Sequence, residues 1–495
     1  LSILLIFPAV VVGQSLRPYS GTNSGAQSNS TGAGSFSSTG ASSLNPSALP
    51  GAEQSPYFGS VPEENAVPEV LQLSFSDAMD RGLRNNLGLL LEGYSSLAAR
   101  GQKWKELSAL LPHLVTNTSE NYAQQNLEAL GISGPGIPKI IGPYGFFDTR
   151  AYFNESVVDF NAIEKTRGAQ SDEKAVAYAY KDARELVVLA VGNAYLQAIS
   201  GSARIDTAQV ELQSAQTLYS RAVDQLNAGV SPAIDVLRAK VELQNRQQQL
   251  IAARNDFAKQ KLTLARVIGL PLGQEFTLVD RAPYQPIAAL SAEESLRRAF
   301  DSRSDYQAAV LQVQAAEHRR KAATAEYYPS LDVTADYGVS GINPGNSHGT
   351  VHASGILVIP IFQGGQVHAD VLLAEASLRQ ARAQLEDLRG EIDSEVRSAI
   401  LDLQSAAEQV EVARSSVDLA NQTLDQAQDR FSAGVTDNLE VVQAQESVAA
   451  ANDTYISSLY SHNLAKIALA KAIGYAEQGV KDYLKGKDLW SQPQK

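Results

Sequence analysis

The chain has no cysteine in its 495 residues, a single methionine and two tryptophans. Without cysteine there is no disulfide framework, no thiolate metal site and no cysteine nucleophile. Positive charge is also short. With 41 Lys and Arg against 54 Asp and Glu, the net charge is −13 and the pI about 5.1, which disfavours nucleic acid as the main partner. After residue 15 no run reads as long and apolar enough for a membrane-spanning helix. There is no nucleophile–base pair, phosphate loop or dinucleotide fingerprint, which argues against an enzyme and implies no cofactor.

What is present is an apolar seam written twice, 205 residues apart. The first copy runs Val187, Val191, Ala194, Ala198, Gly201, Ile205, Ala208, Leu212, Ala215, Tyr219, Ala222, Leu226. The second runs Ile392, Val396, Ala399, Leu403, Ala406, Val410, Ala413, Val417, Ala420, Leu424, Ala427, Phe431. Steps of four and three alternate without a break, so each seam is one narrow stripe on a long helix that coils against a neighbour. One position of each pair is mostly large and the other is Ala or Gly, which lets backbones approach closely.

The duplication predicts one pseudo-two-fold unit, with blocks at 71–275 and 288–475. Each block opens with an expected capping box, Ser74 to Asp77 and Ser291 to Glu294. Pro112 and Pro329 each stop a helix before a strand. The offset between copies is 217 at these points and 205 later, so block one holds twelve more residues, expected in the Gly/Pro-rich loop from Gly131 to Gly145. Ahead of the blocks, Leu1–Gly13 reads as the apolar core of a secretory signal peptide whose front is truncated, and the lack of a following Cys argues against a lipid anchor there. Residues 14–70, rich in Ser, Gly and Asn, read as a flexible extension with order beginning near Leu71, and 476–495 as a C-terminal tail.

Strands are the second signal. Leu331, Val333, Ala335, Tyr337 and Val339 alternate with Asp332, Thr334, Asp336, Gly338 and Ser340. A partner runs from about Thr350 to Pro360, and block one has weaker equivalents near His113–Tyr122 and Thr149–Val158. Four strands of this length suit a tilted bilayer crossing, but they cannot close a barrel alone, since an open edge in lipid leaves backbone groups unpaired. Three copies would supply twelve strands. Each hairpin feeds a long helix that turns at Asn227-Ala-Gly-Val-Ser231 or Ser432-Ala-Gly-Val-Thr436 and returns. Gly229 and Gly434 are expected to end the outgoing helices, Ser231 and Thr436 to cap the returning ones, and Pro232 to take the first helical position.

In these features the chain resembles the TolC-type outer-membrane efflux family. The match rests on Leu226-Asn-Ala-Gly-Val-Ser-Pro-Ala-Ile-Asp-Val-Leu237, on Phe431-Ser-Ala-Gly-Val-Thr-Asp-Asn-Leu-Glu-Val-Val442 and on Pro360-Ile-Phe-Gln-Gly-Gly365. The resemblance implies a mainly helical α+β fold. Its homotrimeric channel-tunnel would have four transmembrane strands per chain, a twelve-stranded barrel in outer-membrane lipid, and a coiled-coil α-barrel in the periplasm. It also implies docking to a periplasmic adaptor protein and an inner-membrane pump, with passive export of small molecules or polypeptides and no chemistry. By position it places Phe431 where a gating Tyr is familiar, Asp235 and Glu440 in acidic pore rings, Thr436 at an Arg latch position and Gln443 at a second acid. Asp235 and Glu440 also have an ordinary reading, since acids in a first helical turn are favoured by the helix dipole, and Phe431 reads foremost as the last packing residue of its seam.

Other residues stay open. His348, His352 and His368 could ligate a metal, but no carboxylate or thiolate cluster accompanies them and a lumen or loop face is favoured. Phe146, Phe147, Tyr152 and Phe153 read as an interfacial aromatic girdle or as packing at a strand turn. The competing function class is a periplasmic coiled-coil adaptor or structural spacer, which would share the helical hairpins but not need four bilayer-length strands. Three Asp235 and three Glu440 side chains at one constriction predict cation block. Replacing both with Ala should reduce block in single-channel recordings, and unchanged block would count against the ring.

Overall fold

A computed structural model describes residues 55–62, 66, 68–132, 134–280, 284 and 291–479. The expected leader 1–13, most of the extension 14–70 and nearly all of the tail 476–495 lie outside the described residues. Block one consists of β1 (Leu71–Leu73), α1 (Phe75–Asn85), α2 (Leu87–Ser108), β2 (His113–Asn126), β3 (Ile140–Val158), α3 (Phe160–Asn227), α4 (Ala233–Ile268) and β4 (Phe276–Leu278). Block two repeats the plan with α5 (Ala292–Ser302), α6 (Ser304–Ala325), β5 (Ser330–Gly341), β6 (Ser347–Val358), α7 (Gln366–Ser432) and α8 (Asn438–Ala472).

The long helices follow from the seam. α3 has 68 residues and α7 has 67, which at the helical rise is about 100 Å each. On α7 the seam residues Ile392, Val396, Ala399, Leu403, Ala406, Val410 and Ala413 are buried, as are Ala427 and Phe431. On α3 burial follows the stripe from Val187 to Ala222, while Leu226 at the end is exposed. One stretch of α3 does reach the apolarity of a membrane span, contrary to the reading of the sequence. Its residues are 67% buried inside the chain, because Val187, Val188, Val191, Ala194 and Tyr195 pack on α1 and on the end of α4. Tyr195 ties this core together. Its hydroxyl donates to the Leu73 carbonyl (3.0 Å) and to Asp280 Oδ2 (2.8 Å), and the same carboxylate oxygen accepts from Phe75 N (2.7 Å).

The four long strands form one antiparallel sheet in the order β2-β3-β5-β6. Register is continuous across it. Leu114, Phe153, Ala335 and Ala353 lie side by side, then Val115, Tyr152, Asp336 and His352, then Thr116, Ala151, Tyr337 and Val351. Alternate rows therefore show opposite faces, one apolar and one polar. Large apolar side chains stand exposed on the first face, with Leu114 72%, Tyr337 66% and Val351 76% exposed. The four aromatic residues read as a girdle divide between faces, Phe147 and Phe153 on the apolar one, Phe146 and Tyr152 on the polar one, because the strand period is two.

Block one's extra residues lengthen the hairpin more than its loop. β2 and β3 have 14 and 19 residues against 12 and 12 for β5 and β6. β3 starts at Ile140, earlier than read from the sequence, and its first seven residues pair only with β2. Pro143 is tolerated there because that part of β3 is an edge. Order also begins before Leu71. Pro56–Phe58 forms one helical turn whose Tyr57 and Phe58 pack on the first core, with Asn86 Nδ2 donating to the Tyr57 carbonyl (2.6 Å) and Val61 N to the Asn85 carbonyl (2.9 Å). The box at Ser74 and Asp77 forms; the one at Ser291 does not, since Ser291 Oγ donates to Glu293 instead (2.9 Å).

An ionic node sits beside the apolar core of block two, and an ion pair ties that end of the chain to α3. Arg303 donates to Glu395 (2.6 Å), to Asp305 (2.6 Å) and to the Ala472 carbonyl (3.0 Å), and Lys471 donates to Glu395 (2.7 Å). From α3, Arg184 grips Glu477 through two bonds, and Glu185 accepts from Ala476 N (2.6 Å). Burial first, and Asp305 second, push the Asp182 carboxyl up to about 6. Burial pushes Glu185 up to about 7. Carboxyls with a raised folded pKa take up protons on folding, so their contribution is full at low pH and is lost as pH rises through about 6 and about 7. Asp182→Asn with Glu185→Gln should therefore raise stability at pH 8 by on the order of 1 kcal/mol and flatten its fall between pH 5 and 8. Thermal unfolding at the two pH values reads this, and an unaltered pH slope would contradict it.

Candidate functional site

Two regions carry the chemistry a conduit needs, the helical hairpin tips and the sheet. At the tips Gly229 (φ 73°) and Gly434 (φ 70°) end α3 and α7 in the left-handed region, as their positions predict. The returning helices start one residue later than expected. Pro232 is the N-cap of α4 and Ala233 its first residue, while Ser231 turns its hydroxyl to Asp235 Oδ2 (2.7 Å). Asp437, not Thr436, caps α8, accepting from Leu439 N (3.2 Å). At the first tip the Ser231 hydroxyl is engaged with the Asp235 carboxylate, and at the second the Asp437 carboxylate takes the cap in place of the Thr436 hydroxyl.

The two tips are clasped inside one chain. Asp235 is 3% exposed, with Ser231 on one oxygen and Arg238 Nη1 3.5 Å from the other. Arg238 also reaches Asp437 of the second tip (3.4 Å). Asn438, fully buried, donates to the Asp235 carbonyl (2.6 Å). Within the chain Asp235 is thus held between the two tips. Glu440 is half-buried with Arg430 3.6 Å away, Thr436 is half-buried and Gln443 is exposed. Phe431 is buried with Leu218, Ala222, Ala239, Ala427, Val441 and Ala444, where both hairpins meet. The residues read from the sequence thus divide into a buried set, Asp235 and Phe431, and an accessible set, Thr436, Glu440 and Gln443.

Farther from the tips a polar layer crosses the seam. Arg246 donates to Glu242 (2.6 Å), Glu211 (3.1 Å) and Gln249 (2.9 Å), and Gln445 donates to Ser214 (2.9 Å). Burial raises the Glu211 carboxyl. A buried layer of this kind loses most of its Coulomb gain to desolvation, so its effect is on register. These residues were missed in the sequence. The signal was there: Glu242 and Arg246 occupy a buried stripe with Asp235, Ala239 and Leu250, where apolar residues are the rule. Among the described residues no group of His, Asp and Glu could hold a metal, and His348 and His352 lie on the polar sheet face.

A profile of outer membrane efflux proteins matches residues 157–270 and 296–475, more than half the chain. The chain belongs to the outer membrane efflux protein family. Among relatives, the toluene efflux pump outer membrane protein TtgF of Pseudomonas putida is 25% identical over 425 residues, 81% of this chain and 84% of that protein. The outer membrane protein TolC of Escherichia coli is 22% identical over 390 residues, 74% of this chain and 75% of that protein. Among solved structures, the Campylobacter jejuni CmeC outer membrane channel superposes with a TM-score of 0.71 at 17% identity, covering 88% of this chain and 96% of CmeC. The Vibrio cholerae outer membrane protein VceC gives 0.69 at 18% identity, over 81% and 96%. The fold is thus that of a TolC-like channel. The chain is an outer-membrane efflux channel, and its family consists of channels, not enzymes.

The Asn438 bond is the buried link between the tips. Asn438→Ala should cost about 1 kcal/mol locally, because it removes a buried bond between the tips. Limited proteolysis at residues 229–231 and 434–436 should speed up severalfold, whereas an unchanged cleavage rate would show that the clasp does not hold the tips.

Proposed function

We propose that three copies of this chain close a twelve-stranded barrel in the outer membrane, continued by a helical tunnel into the periplasm, as a passive conduit for small molecules or polypeptides. The observation that carries this is the sheet itself. Among the described residues β2 and β6 each pair on one side only, while one face is apolar and exposed. In lipid, unpaired edge groups cost several kcal/mol each, and pairing β6 of one copy with β2 of the next removes both edges. The alternating strand directions make that new pair antiparallel, like the others. The helices favour the same assembly. Leu373, Leu401, Val412 and Leu419 on α7 and Val210 on α3 stand 60% exposed or more, apolar surface that neighbouring helices would cover.

The tips would form the closing end. Glu440, Thr436 and Gln443 are the accessible residues there and would line the constriction, while Phe431 packs behind them and Asp235 holds the hairpins together. A groove between α4 and α8, lined by Ile234, Leu237, Val241, Leu439 and Val442, suits the helical tip of a periplasmic adaptor that links the channel to an inner-membrane pump. The spacer reading loses support, since a soluble spacer has no use for the exposed apolar sheet face. Fractionation followed by mass measurement tests the assembly. The expected result is a particle of three chains released from membranes only by detergent; a periplasmic monomer released without detergent would overturn it.

A further inference from the structure

The polar sheet face carries a charged band that neither the tips nor the family assignment explains. Three of its rows are Val115, Tyr152, Asp336 and His352, then Asn117, Arg150, Gly338 and Thr350, then Ser119, Asp148, Ser340 and His348. Apart from the histidines, the charged side chains in these rows are the acids Asp148 and Asp336 and the base Arg150. Arg150 bonds to three side chains. It pairs with Asp336 on β5, sits 3.2 Å from Asp148 on its own strand and donates to Thr350 Oγ1 (2.9 Å) on β6. His352 Nδ1 stands 3.6 Å from the other Asp336 oxygen. Despite lying on an open sheet, the Arg150, Asp148 and Asp336 side chains are only 17%, 18% and 16% exposed.

Gly338 makes the arrangement possible. It lies directly opposite Arg150, and a Cβ there would fall 2.7 Å from Arg150 Cα and 2.8 Å from Arg150 Cβ. Without a side chain at 338 the guanidinium crosses β5 and reaches Thr350. The base is thus held between two carboxylates of one face, and the band keeps one uncompensated negative charge per chain.

We infer that Asp148, Arg150 and Asp336 form a charge-selecting band inside the sheet-level pore, favouring cationic over anionic solutes at a point remote from the tips. The inference rests on the three-chain barrel, in which the apolar face meets lipid and the polar face surrounds the lumen. Three copies place three such units around one axis, and solutes passing at that level meet a net negative ring. Arg150 is the residue that sets the size of that charge, since its loss doubles it and the loss of both acids inverts it.

Reversal potentials in a KCl gradient, measured on the detergent-extracted full chain in planar bilayers, test this. A Glu440→Ala background keeps tip charge from dominating. Arg150→Gln should raise the cation-to-anion permeability ratio, Asp148→Asn should lower it, and Asp148→Asn with Asp336→Asn should lower it further. Each step is expected to be about two- to fivefold, from three screened charges about 10 Å from the axis. If Arg150→Gln does not insert, Asp148→Asn still decides, because Asp148 makes no cross-strand bond to Arg150's partners. Equal ratios in inserting channels would overturn the band while leaving the barrel standing. A parent chain that forms neither trimer nor channel would overturn the barrel and the band with it.

Discussion

Backbone hydrogen bonding at the edges of one small sheet governs this molecule. Four strands with an apolar face cannot rest in water, because Leu114, Tyr337 and Val351 would stay exposed. They cannot rest in lipid as a single open sheet either, because among the described residues β2 and β6 each leave a row of donors and acceptors unpaired. Both conditions are met only by closure with further strands. The chain's other features follow from serving that closed ring: two blocks that each deliver one hairpin, and helices long enough to continue the wall away from it.

The helices obey a different rule. After Val187 and Ile392 their seams place Ala or Gly at every second seam position, so backbones approach closely and the narrow stripe is buried with little side-chain entropy lost. Such seams are poor at fixing register, since one Ala packs much like another. Register is supplied by polar contacts at separate levels: the Asp235–Arg238–Asp437 clasp at the tips, the Glu242–Arg246–Glu211 layer farther along, and the Arg303–Glu395–Lys471 node within the second block. Each costs desolvation, and each marks a level where a slipped helix would leave a charge unpaired.

Repetition does not mean that the two blocks use the same chemistry. Asn86 and Arg303 stand at corresponding helix breaks, yet Asn86 caps α2 through its own side chain while Arg303 reaches outward into the node. The positions after α4 and α8 are both left-handed glycines, Gly269 and Gly474, tight against Asn85 and Arg303. The backbone plan is shared and both blocks bury an apolar core, but the side chains have diverged so that the second adds a charged node beside its own.

The alternation of residues 331–340, the unbroken four-and-three spacing of the seams and the paired Ala-Gly-Val turns determined the elements, their order and the need for neighbours. They could do so because period and length are properties of the chain itself. The three-dimensional packing decided what those patterns leave open. It buried Asp235 by bringing the tip of α8 over it, moved the caps to Pro232 and Asp437, and sent Pro143 to a stretch of β3 paired on one side only. It also drew Arg150 onto two carboxylates and a threonine across a glycine 188 residues away. Those outcomes depend on which side chains from distant segments arrive at the same place, and no local period encodes that.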